Sequence, residues 1–358
     1  MELYQYALPE VLRGKKLLYL HGFASSGESG TVASLRLLLP GASILAPDLP
    51  VDSEQCLRML LELCSREKPD LILGTSMGAM YALLLRGYDR IAVNPALHIN
   101  ESIQKNNGLG KVSFHSPRKD GETSFLVTKG LLEQYRKTCS KVFEGMDPIE
   151  KFYPSTGAYG DDRDRVWGLF ATHDTVVDGY DEFSSFYPNA IHYEGEHYLN
   201  DRALLHSVLP MIERIDHMRD GKERKTVLVS FEDTVCDSLH GRQHGKEPLE
   251  MEPVNGALKA LVELSHRYEV YILASAVPEI PLSWSIPESW CSKRLGVLSW
   301  GRVIVSSRKD MVLGDYLIER YPERYGCEDF MGTVIPLGSD TFKDWESVLS
   351  YFSALGGQ

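Results

Sequence analysis

The sequence predicts an α/β protein with two domains, each built around a mostly parallel sheet. In the first half, short apolar runs alternate with amphipathic segments, which is typical of a parallel sheet with helices on its faces. A chain of 358 residues is long enough for two domains that each bury a core. A charged stretch at 213–226 separates the two halves, and a new strand pattern begins at its end. The apolar runs of the first half are 17–20, 43–46, 71–73, 90–93, 166–171 and 190–193.

The composition predicts a cytoplasmic protein without nucleic-acid or membrane partners. A formal net charge of −12 disfavours binding to nucleic acids or anionic membranes, because both are negatively charged. Six scattered cysteines form no C-x-x-C pair, which indicates reduced structural thiols rather than a metal site. The first 16 residues do not resemble a secretory leader, and no stretch approaches the length of a membrane span. The composition leaves the oligomeric state open, including a homo-oligomer.

A Gly-Thr-Ser-Met-Gly motif directly follows the apolar run 71–73 and makes Ser76 a candidate covalent catalyst. A sharp turn from strand to helix forces the serine into a strained backbone conformation, and only small neighbours leave such a turn uncrowded. Gly74 and Gly78 meet this requirement. We therefore predict a nucleophile elbow with Ser76 at its tip.

An acid and a histidine follow in the chain order Ser, acid, His of a catalytic triad. Asp174 lies in the loop after the run 166–171, and His197 lies in a loop after the run 190–193. His197 would take the proton of Ser76 as general base and return it to the leaving group. Asp174 would fix the tautomer of His197.

Other residues compete for these two roles. His173 lies in the loop of the acid itself, and His192 lies inside a strand, where a packed ring is the simpler explanation. Asp178, Asp161 and Asp162 are fallback acids in neighbouring loops. The order of the strands favours Asp174 and His197 over all of them.

Five short segments of the first half carry a family resemblance: 21–26, 74–78, 94–96, 173–177 and 195–197. With them, residues 15 to about 217 resemble the small YqiA-type serine esterases of the α/β-hydrolase superfamily. The resemblance implies a cytoplasmic esterase or thioesterase with Ser76, Asp174 and His197 as its triad and no metal. It also implies an oxyanion hole formed by the backbone N–H groups of Phe23 and Met77.

The stretch 99–159 interrupts the strand and helix alternation and predicts a helical lid insertion over the nucleophile. Its apolar side chains either shape an acyl pocket or bury a helix against the core. Together with Tyr193, we take Leu131 and Tyr135 as candidate substrate-binding residues. The apolar residues at helical spacing in this stretch are Leu131, Leu132, Tyr135, Val142 and Phe143.

The charged stretch predicts domains at 1–217 and 226–358, joined by a linker at 218–225. In the second domain, the resemblance to known proteins rests on 253–257, 268–273, 309–310, 314–318, 338–340 and Trp345. These segments resemble the deoxyribonucleotidase-type branch of the haloacid dehalogenase-like phosphatases. The resemblance implies a Rossmann-like domain with a parallel sheet.

The second domain departs from these phosphatases at the catalytic positions. Such phosphatases use an aspartate nucleophile that also holds Mg²⁺ and a second aspartate two residues later, where this chain has Ser230 and Glu232. Serine lacks the charge that holds Mg²⁺, so we predict an inactive domain. The phosphate-binding hydroxyl of the family falls on Ala274, with Ser275 beside it, and the late acidic pair falls on Glu319 and Arg320. The lysine of the family is retained as Lys309.

The sequence predicts a serine hydrolase of small carboxylic esters or thioesters, acting through an acyl-Ser76 intermediate and without a cofactor. One alternative is an acyltransferase that uses the same triad with an acceptor other than water. Another is a Mg²⁺-dependent nucleotide phosphatase in the second half, with Asp233 or Asp237 as a register-shifted nucleophile. A third is a binding protein in which both sites are disused. Acyl chain length, leaving group and the role of the second domain stay open.

Overall fold

The computed structural model describes residues 3–149, 162–221 and 223–355. The chain divides into two compact units, Met1–Asp216 and His217–Gln358. Each unit contains a parallel sheet with helices, so the predicted fold class of two α/β domains is confirmed. Positions 150–159 of the predicted lid, Asp161 and position 222 of the predicted linker lie outside the described residues, and the predicted domain bounds stay a prediction.

The first unit is built on one parallel sheet. In the described part of this unit, six strands pair in the order β2-β1-β3-β4-β7-β8. The strands of the unit are β1 (Lys16–Leu20), β2 (Ser43–Leu45), β3 (Leu71–Thr75), β4 (Asp89–Val93), β5 (Gly110–Ser113), β6 (Ser124–Val127), β7 (Val166–Ala171) and β8 (Asn189–Tyr193). The middle strands are almost wholly apolar because helices cover both faces of the sheet.

Helices connect these strands. The sequence Met-Gly-Ala-Met-Tyr-Ala-Leu-Leu after β3 is apolar on all sides, and the helix it forms is buried in the core. Asp52 caps the earlier helix that begins at Ser53, where its side chain accepts a hydrogen bond from the N–H of Gln55 at 2.8 Å. The helices are α1 (Gly30–Leu38), α2 (Ser53–Glu67), α3 (Met77–Leu84), α4 (Ile99–Asn106), α5 (Lys129–Cys139), α6 (Tyr180–Ser184), α7 (Asp201–Ala203) and α8 (Leu209–Asp220), with a π-helical turn at Leu204–Val208.

The insertion after β4 contains α4, α5 and an antiparallel hairpin of β5 and β6. The sequence predicted the helical part, whereas the hairpin was not predicted. The turn of the hairpin is attached to the loop after β2, since Arg118 Nη1 donates to the carbonyl of Leu49 at 3.1 Å and the N–H of Lys119 donates to Asp48 at 2.7 Å. The hairpin therefore lies at the carboxyl end of the sheet.

The second unit has its own parallel sheet. Over its described residues, the strand order is β11-β10-β9-β12-β13. The strands are β9 (Thr226–Ser230), β10 (Glu269–Ser275), β11 (Val303–Ser306), β12 (Tyr316–Glu319) and β13 (Thr333–Pro336). The helices are α9 (Ser238–Gln243), α10 (Ala257–Ser265), α11 (Ile286–Leu295) and α12 (Trp345–Ala354). Among the described helices of the whole chain, none has the length and apolar content needed to cross a bilayer.

Candidate active site

Ser76 stands at the sharp turn between β3 and α3. Its backbone has φ 52° and ψ −114°, a conformation that is strained for a residue with a side chain. The turn needs glycine on both sides. A Cβ on Gly78 would lie 2.0 Å from the carbonyl oxygen of Leu20, and a Cβ on Gly74 would lie 2.3 Å from that of Gly78. This geometry lifts the Ser76 hydroxyl to the carboxyl end of the sheet.

The structure brings Ser76, His197 and Asp174 together from three separate loops. His197 Nε2 lies 3.0 Å from Ser76 Oγ, and His197 Nδ1 lies 2.8 Å from Asp174 Oδ2. The His197 and Asp174 side chains are 7% and 8% exposed, so both ends of this hydrogen-bonded pair are shielded from water. In this network Nδ1 donates to Asp174 and leaves Nε2 free to accept the Ser76 proton.

The surroundings of Asp174 favour its ionised carboxylate form. Its Oδ1 accepts hydrogen bonds from the N–H groups of Val176 at 2.7 Å and Val177 at 3.0 Å. Burial alone would raise the pKa of Asp174, but these bonds and the bond from His197 outweigh it and hold the pKa below its ordinary value. A charged carboxylate at this place can stabilise an imidazolium on His197.

The rival residues lie in other surroundings. His173 is exposed and lies 3.2 Å from Glu194, while His192 on β8 stacks on the ring of Tyr180. Asp162 accepts a hydrogen bond from the N–H of Gly87 at 2.7 Å, and Asp178 is exposed to solvent.

The two predicted oxyanion donors belong to Met77, next to Ser76 in the chain, and to Phe23, in the loop after β1. Met77 is the first residue of α3, and the N–H groups of the first helical turn have no partner inside the helix. Phe23 follows β1 in a turn that packs against the elbow, since a Cβ on Gly22 would lie 3.5 Å from Ser76 Cβ. These are the two donors that the sequence predicts for an oxyanion.

His21 holds the turn that carries Phe23. Its Nδ1 donates to the carbonyl of Gly22 at 2.8 Å, and its Nε2 accepts the N–H of Leu49 at 3.0 Å. Burial lowers the pKa of His21 to about 4, so the ring is neutral around pH 7. The neutral ring therefore links the loop after β1 to the loop after β2.

Asn94, which follows β4, has a role that the sequence alone did not reveal. Its Nδ2 donates to the carbonyl of His197 at 3.0 Å and to that of Glu196 at 3.2 Å, while its Oδ1 accepts the N–H of Ala171 at 2.8 Å. Asn94 is buried and has φ 46°. The signal in the sequence was a polar residue directly after the apolar end of β4, at the edge where sites form in parallel sheets.

An apolar recess lies beside the two N–H donors. The recess is narrow and partly open to solvent. Of the predicted substrate-binding residues, Tyr135 lines the recess, Leu131 is buried in the core, and Tyr193 is buried with its hydroxyl 3.0 Å from Asn94 Nδ2. The lining residues are His21, Phe23, Ala24, Leu49, Pro50, Val51, Met77, Phe114, Phe125 and Tyr135.

In the second unit, the phosphatase resemblance implies Mg²⁺ at the carboxyl end of the sheet. The residues there do not fit the ion, because Lys309 Nζ lies 2.9 Å from Ser230 Oγ and 2.7 Å from Glu319 Oε2, where a cation would need those oxygens. Across the described residues, no group of three or more His, Cys, Asp or Glu side chains has metal-binding geometry. We derive no step through magnesium.

Asp233 and Asp237, the two alternative nucleophiles, accept hydrogen bonds from neighbouring residues of the second unit. Asp233 Oδ1 accepts from Ser238 Oγ at 2.7 Å and from the N–H of Leu239, and the hydroxyl of Tyr321 reaches Oδ2 at 3.2 Å. Asp237 caps α9 by accepting from the N–H of His240 at 3.3 Å. Both carboxylates hold the loop after β9 in its fold.

Comparisons with known proteins agree with both sequence resemblances. Residues 16–204 match the family described as "Uncharacterised protein family (UPF0227)". Residues 234–349 match the family described as "5' nucleotidase, deoxy (Pyrimidine), cytosolic type C protein". The predicted division of the chain into two halves that resemble two different families is thereby confirmed.

Curated relatives match part of the chain. The chain is 36% identical over 104 residues to a "Putative 5'(3')-deoxyribonucleotidase" of Vibrio phage KVP40, a match that covers 29% of this chain and 61% of the phage protein. This chain thus spans about three fifths of that relative. A protein of the same name from Staphylococcus epidermidis is 25% identical over 148 residues, covering 38% of this chain and 78% of the relative.

Two solved structures are similar to part of the chain. A monoacylglycerol lipase of Paleococcus ferrophilus is 11% identical with a TM-score of 0.39, over 59% of this chain and 97% of the lipase. Est1E of Butyrivibrio proteoclasticus is 15% identical with a TM-score of 0.39, over 58% of this chain and 89% of Est1E. Since the match to the UPF0227 family covers residues 16–204, more than half of the 358 residues, this protein belongs to the UPF0227 family.

Proposed function

We propose that this protein is a serine hydrolase that cleaves carboxylic esters or thioesters of small acyl groups through an acyl-Ser76 intermediate. The observation that carries the proposal is the line of hydrogen bonds from Ser76 Oγ to His197 Nε2 and from His197 Nδ1 to Asp174. A nucleophile, a base and an orienting acid in this relation form the recurrent arrangement for acyl transfer. The two N–H donors beside it supply the electrostatic part of catalysis.

The reaction would proceed in two halves. Ser76 Oγ attacks the acyl carbon and passes its proton to His197, while the N–H groups of Phe23 and Met77 hold the oxyanion. The carbon–oxygen or carbon–sulfur bond then breaks, and His197 protonates the leaving alkoxide or thiolate. Water attacks the acyl-Ser76 ester with His197 again as base, which releases the acid and restores Ser76.

The recess beside the donors supports small acyl groups. The recess is small and apolar, with room for about one group the size of a water molecule. Tyr135 and Phe125 close this space on the side of the insertion. Short linear acyl chains therefore fit better than long fatty acyl chains.

A fluorophosphonate probe tests the nucleophile directly. We expect wild type to be labelled and to hydrolyse short-chain nitrophenyl esters and acyl-CoA thioesters, and Ser76→Ala to lose both properties. Ser140→Ala, at an exposed serine after α5, is the matched control and keeps both. A folded wild type that is neither labelled nor active would overturn the proposal.

A second candidate, a nucleotide phosphatase in the second unit, is favoured by the match of residues 234–349 and by the deoxyribonucleotidase relatives. The side chains disfavour it, because Ser230 replaces the nucleophile and Lys309 fills the cation's place. We therefore propose that the second unit does not hydrolyse phosphate esters. Release of phosphate from nucleoside monophosphates with Mg²⁺ by wild type, lost in Asp233→Ala or Asp237→Ala, would favour the phosphatase instead.

A further inference from the structure

Tyr135 of α5 contacts the side chains of both residues that supply the predicted oxyanion donors. Its hydroxyl lies 3.4 Å from Met77 Sδ, and its ring packs edge-on against the ring of Phe23 with centroids 6.4 Å apart at 77°. Tyr135 is 1% exposed and Met77 is 3% exposed, so the phenol and the thioether are packed inside the protein. A residue of the insertion after β4 therefore reaches both the elbow and the loop after β1.

The hydroxyl of Tyr135 also binds the main chain of the loop after β2. It donates to the carbonyl of Val51 at 3.0 Å, so its proton is shared between that oxygen and Met77 Sδ. Burial raises the pKa of Tyr135, which keeps the phenol protonated and able to donate. The hydrogen bond therefore fixes this part of the loop against α5.

The loop after β2 in turn holds the turn that carries Phe23. The N–H of Leu49 donates to His21 Nε2 at 3.0 Å, and the carboxylate of Asp48 accepts the N–H of Gly27 at 2.8 Å. These two contacts lie on either side of Phe23 in the chain. A displacement of the loop after β2 would therefore also displace the N–H of Phe23.

The two predicted donors differ in how they are supported. The N–H of Met77 belongs to the first turn of α3, whereas the N–H of Phe23 belongs to a loop and depends on contacts from outside that loop. A donor stabilises an oxyanion only when it stands about 2.7–3.1 Å from the place that the oxyanion will occupy. The charge develops only as the new bond forms, so a displaced donor weakens the transition state more than it weakens substrate binding.

We propose that Tyr135 is a positioning residue of the oxyanion hole, which sets the place of the Phe23 N–H through Val51 and through the ring of Phe23. The inference rests on the proposed serine hydrolase function, and it adds that the insertion after β4 takes part in catalysis beyond shaping the acyl recess. The ring of Tyr135 lines that recess, whereas its hydroxyl contacts Val51 and Met77. Removal of the hydroxyl alone therefore separates the two roles.

Tyr135→Phe keeps the ring and removes the hydroxyl. We expect kcat for nitrophenyl acetate to fall about tenfold, since loss of a whole oxyanion donor costs about 10²–10³-fold. KM should stay near the wild-type value, because an oxyanion forms in acylation and in deacylation and both steps slow together. Tyr88→Phe is the matched control, because it removes a tyrosine hydroxyl that donates to the carbonyl of Cys64 at 3.2 Å, and it should keep wild-type kinetics.

A short-chain trifluoromethyl ketone separates an oxyanion effect from a general loss of structure, because its adduct with Ser76 places an oxyanion in the hole. Its inhibition constant in Tyr135→Phe should rise by the same factor by which kcat falls. The pH dependence of kcat should match that of wild type, since the variant leaves the contact between His197 and Asp174 in place. Wild-type kcat and inhibition constant in folded Tyr135→Phe would overturn the inference.

Met77→Leu is a second variant if Tyr135→Phe does not fold. It keeps the apolar volume and removes the sulfur that the hydroxyl contacts, so kcat should fall and the inhibition constant should rise, each about threefold. Unchanged values in folded Met77→Leu would then overturn the inference. A folded wild type that the fluorophosphonate probe does not label would contradict the proposed function instead, whereas a labelled and active wild type with an unaffected Tyr135→Phe contradicts only the positioning role.

Discussion

Asn94 Nδ2 donates a hydrogen bond to the main-chain carbonyl of His197 at 3.0 Å. The same side chain accepts the N–H of Ala171, at the end of the strand that leads to Asp174. One buried amide therefore fixes the base loop against the acid strand. The distance between His197 and Asp174 depends on a residue that touches neither reacting side chain.

We predict that Asn94→Ala lowers kcat for nitrophenyl esters about 10²-fold, because a shift of the His197 loop by about 1 Å misaligns the base. KM changes little, since Asn94 does not line the recess. A changed pH dependence of kcat separates a positioning role from a general loss of stability. Asn106→Ala, at an exposed asparagine of α4, keeps full activity. Wild-type kinetics in folded Asn94→Ala would refute the positioning role.

Asp174→Asn is expected to lower kcat by about 10³–10⁴-fold, because the amide no longer fixes the His197 tautomer that accepts the Ser76 proton. The matched control is Asp178→Asn in the same loop, where the carboxyl is exposed. Ester hydrolysis and fluorophosphonate labelling rates measure the effect. Equal losses in the two variants would argue for Asp178 as a second acid.

Phe125→Ala is expected to shift the substrate preference towards longer acyl chains. Phe125 lines the recess and packs edge-on against Phe23 with ring centroids 5.3 Å apart. Each methylene accommodated in the enlarged recess is worth about 1–3 kcal/mol in kcat/KM. Leu126→Ala changes the next residue of β6, which points to solvent, and keeps the wild-type preference. The measurement is kcat/KM across a series of nitrophenyl esters, and an unchanged profile in Phe125→Ala would place the acyl group elsewhere.

His21 predicts a loss of stability in mild acid. The pKa of His21 is about 4 in the fold against 6.5 when unperturbed. Between pH 4 and pH 6.5, His21 is therefore protonated in the unfolded chain and neutral in the folded chain. The stability contributed by neutral His21 is complete above pH 6.5 and falls by up to about 3 kcal/mol as the pH drops to 4.

His21→Gln removes this dependence, so its unfolding midpoint should fall less than that of wild type between pH 7 and pH 4.5. Calorimetry of the full chain measures the midpoint, and phosphonate labelling of Ser76 identifies the transition of the first unit. His173→Gln is the control, because His173 is exposed and should follow wild type. Equal slopes for wild type and His21→Gln would contradict the prediction.

The sequence predicted the elements near the nucleophile well because their signals are local. Gly74 and Gly78 bracket Ser76 within one turn, and the loops of Asp174 and His197 each follow an apolar run. The order Ser, acid, His along the chain then predicted which residue is the nucleophile, which the orienting acid and which the base. The roles themselves stay a prediction until the probe experiment is done.

Other features depend on contacts between distant segments and were not predicted. The strands of the hairpin, Gly110–Ser113 and Ser124–Val127, are four residues each and bury only Val127, so they show little apolar periodicity. The contact of the buried Tyr193 hydroxyl with Asn94 was not predicted, and a contact of Tyr193 with the substrate stays a prediction. The direction of the Glu232 side chain depends on Ser275, 43 residues away.

At Ser76 the strained backbone that supports catalysis also lowers the stability of the fold. A residue with a side chain at φ 52° and ψ −114° costs about 1–3 kcal/mol, and glycine would relieve most of that cost. Selection for heat resistance alone would therefore replace the serine with glycine. A serine that is retained at this position would therefore indicate selection for catalysis, because glycine would make the fold more stable.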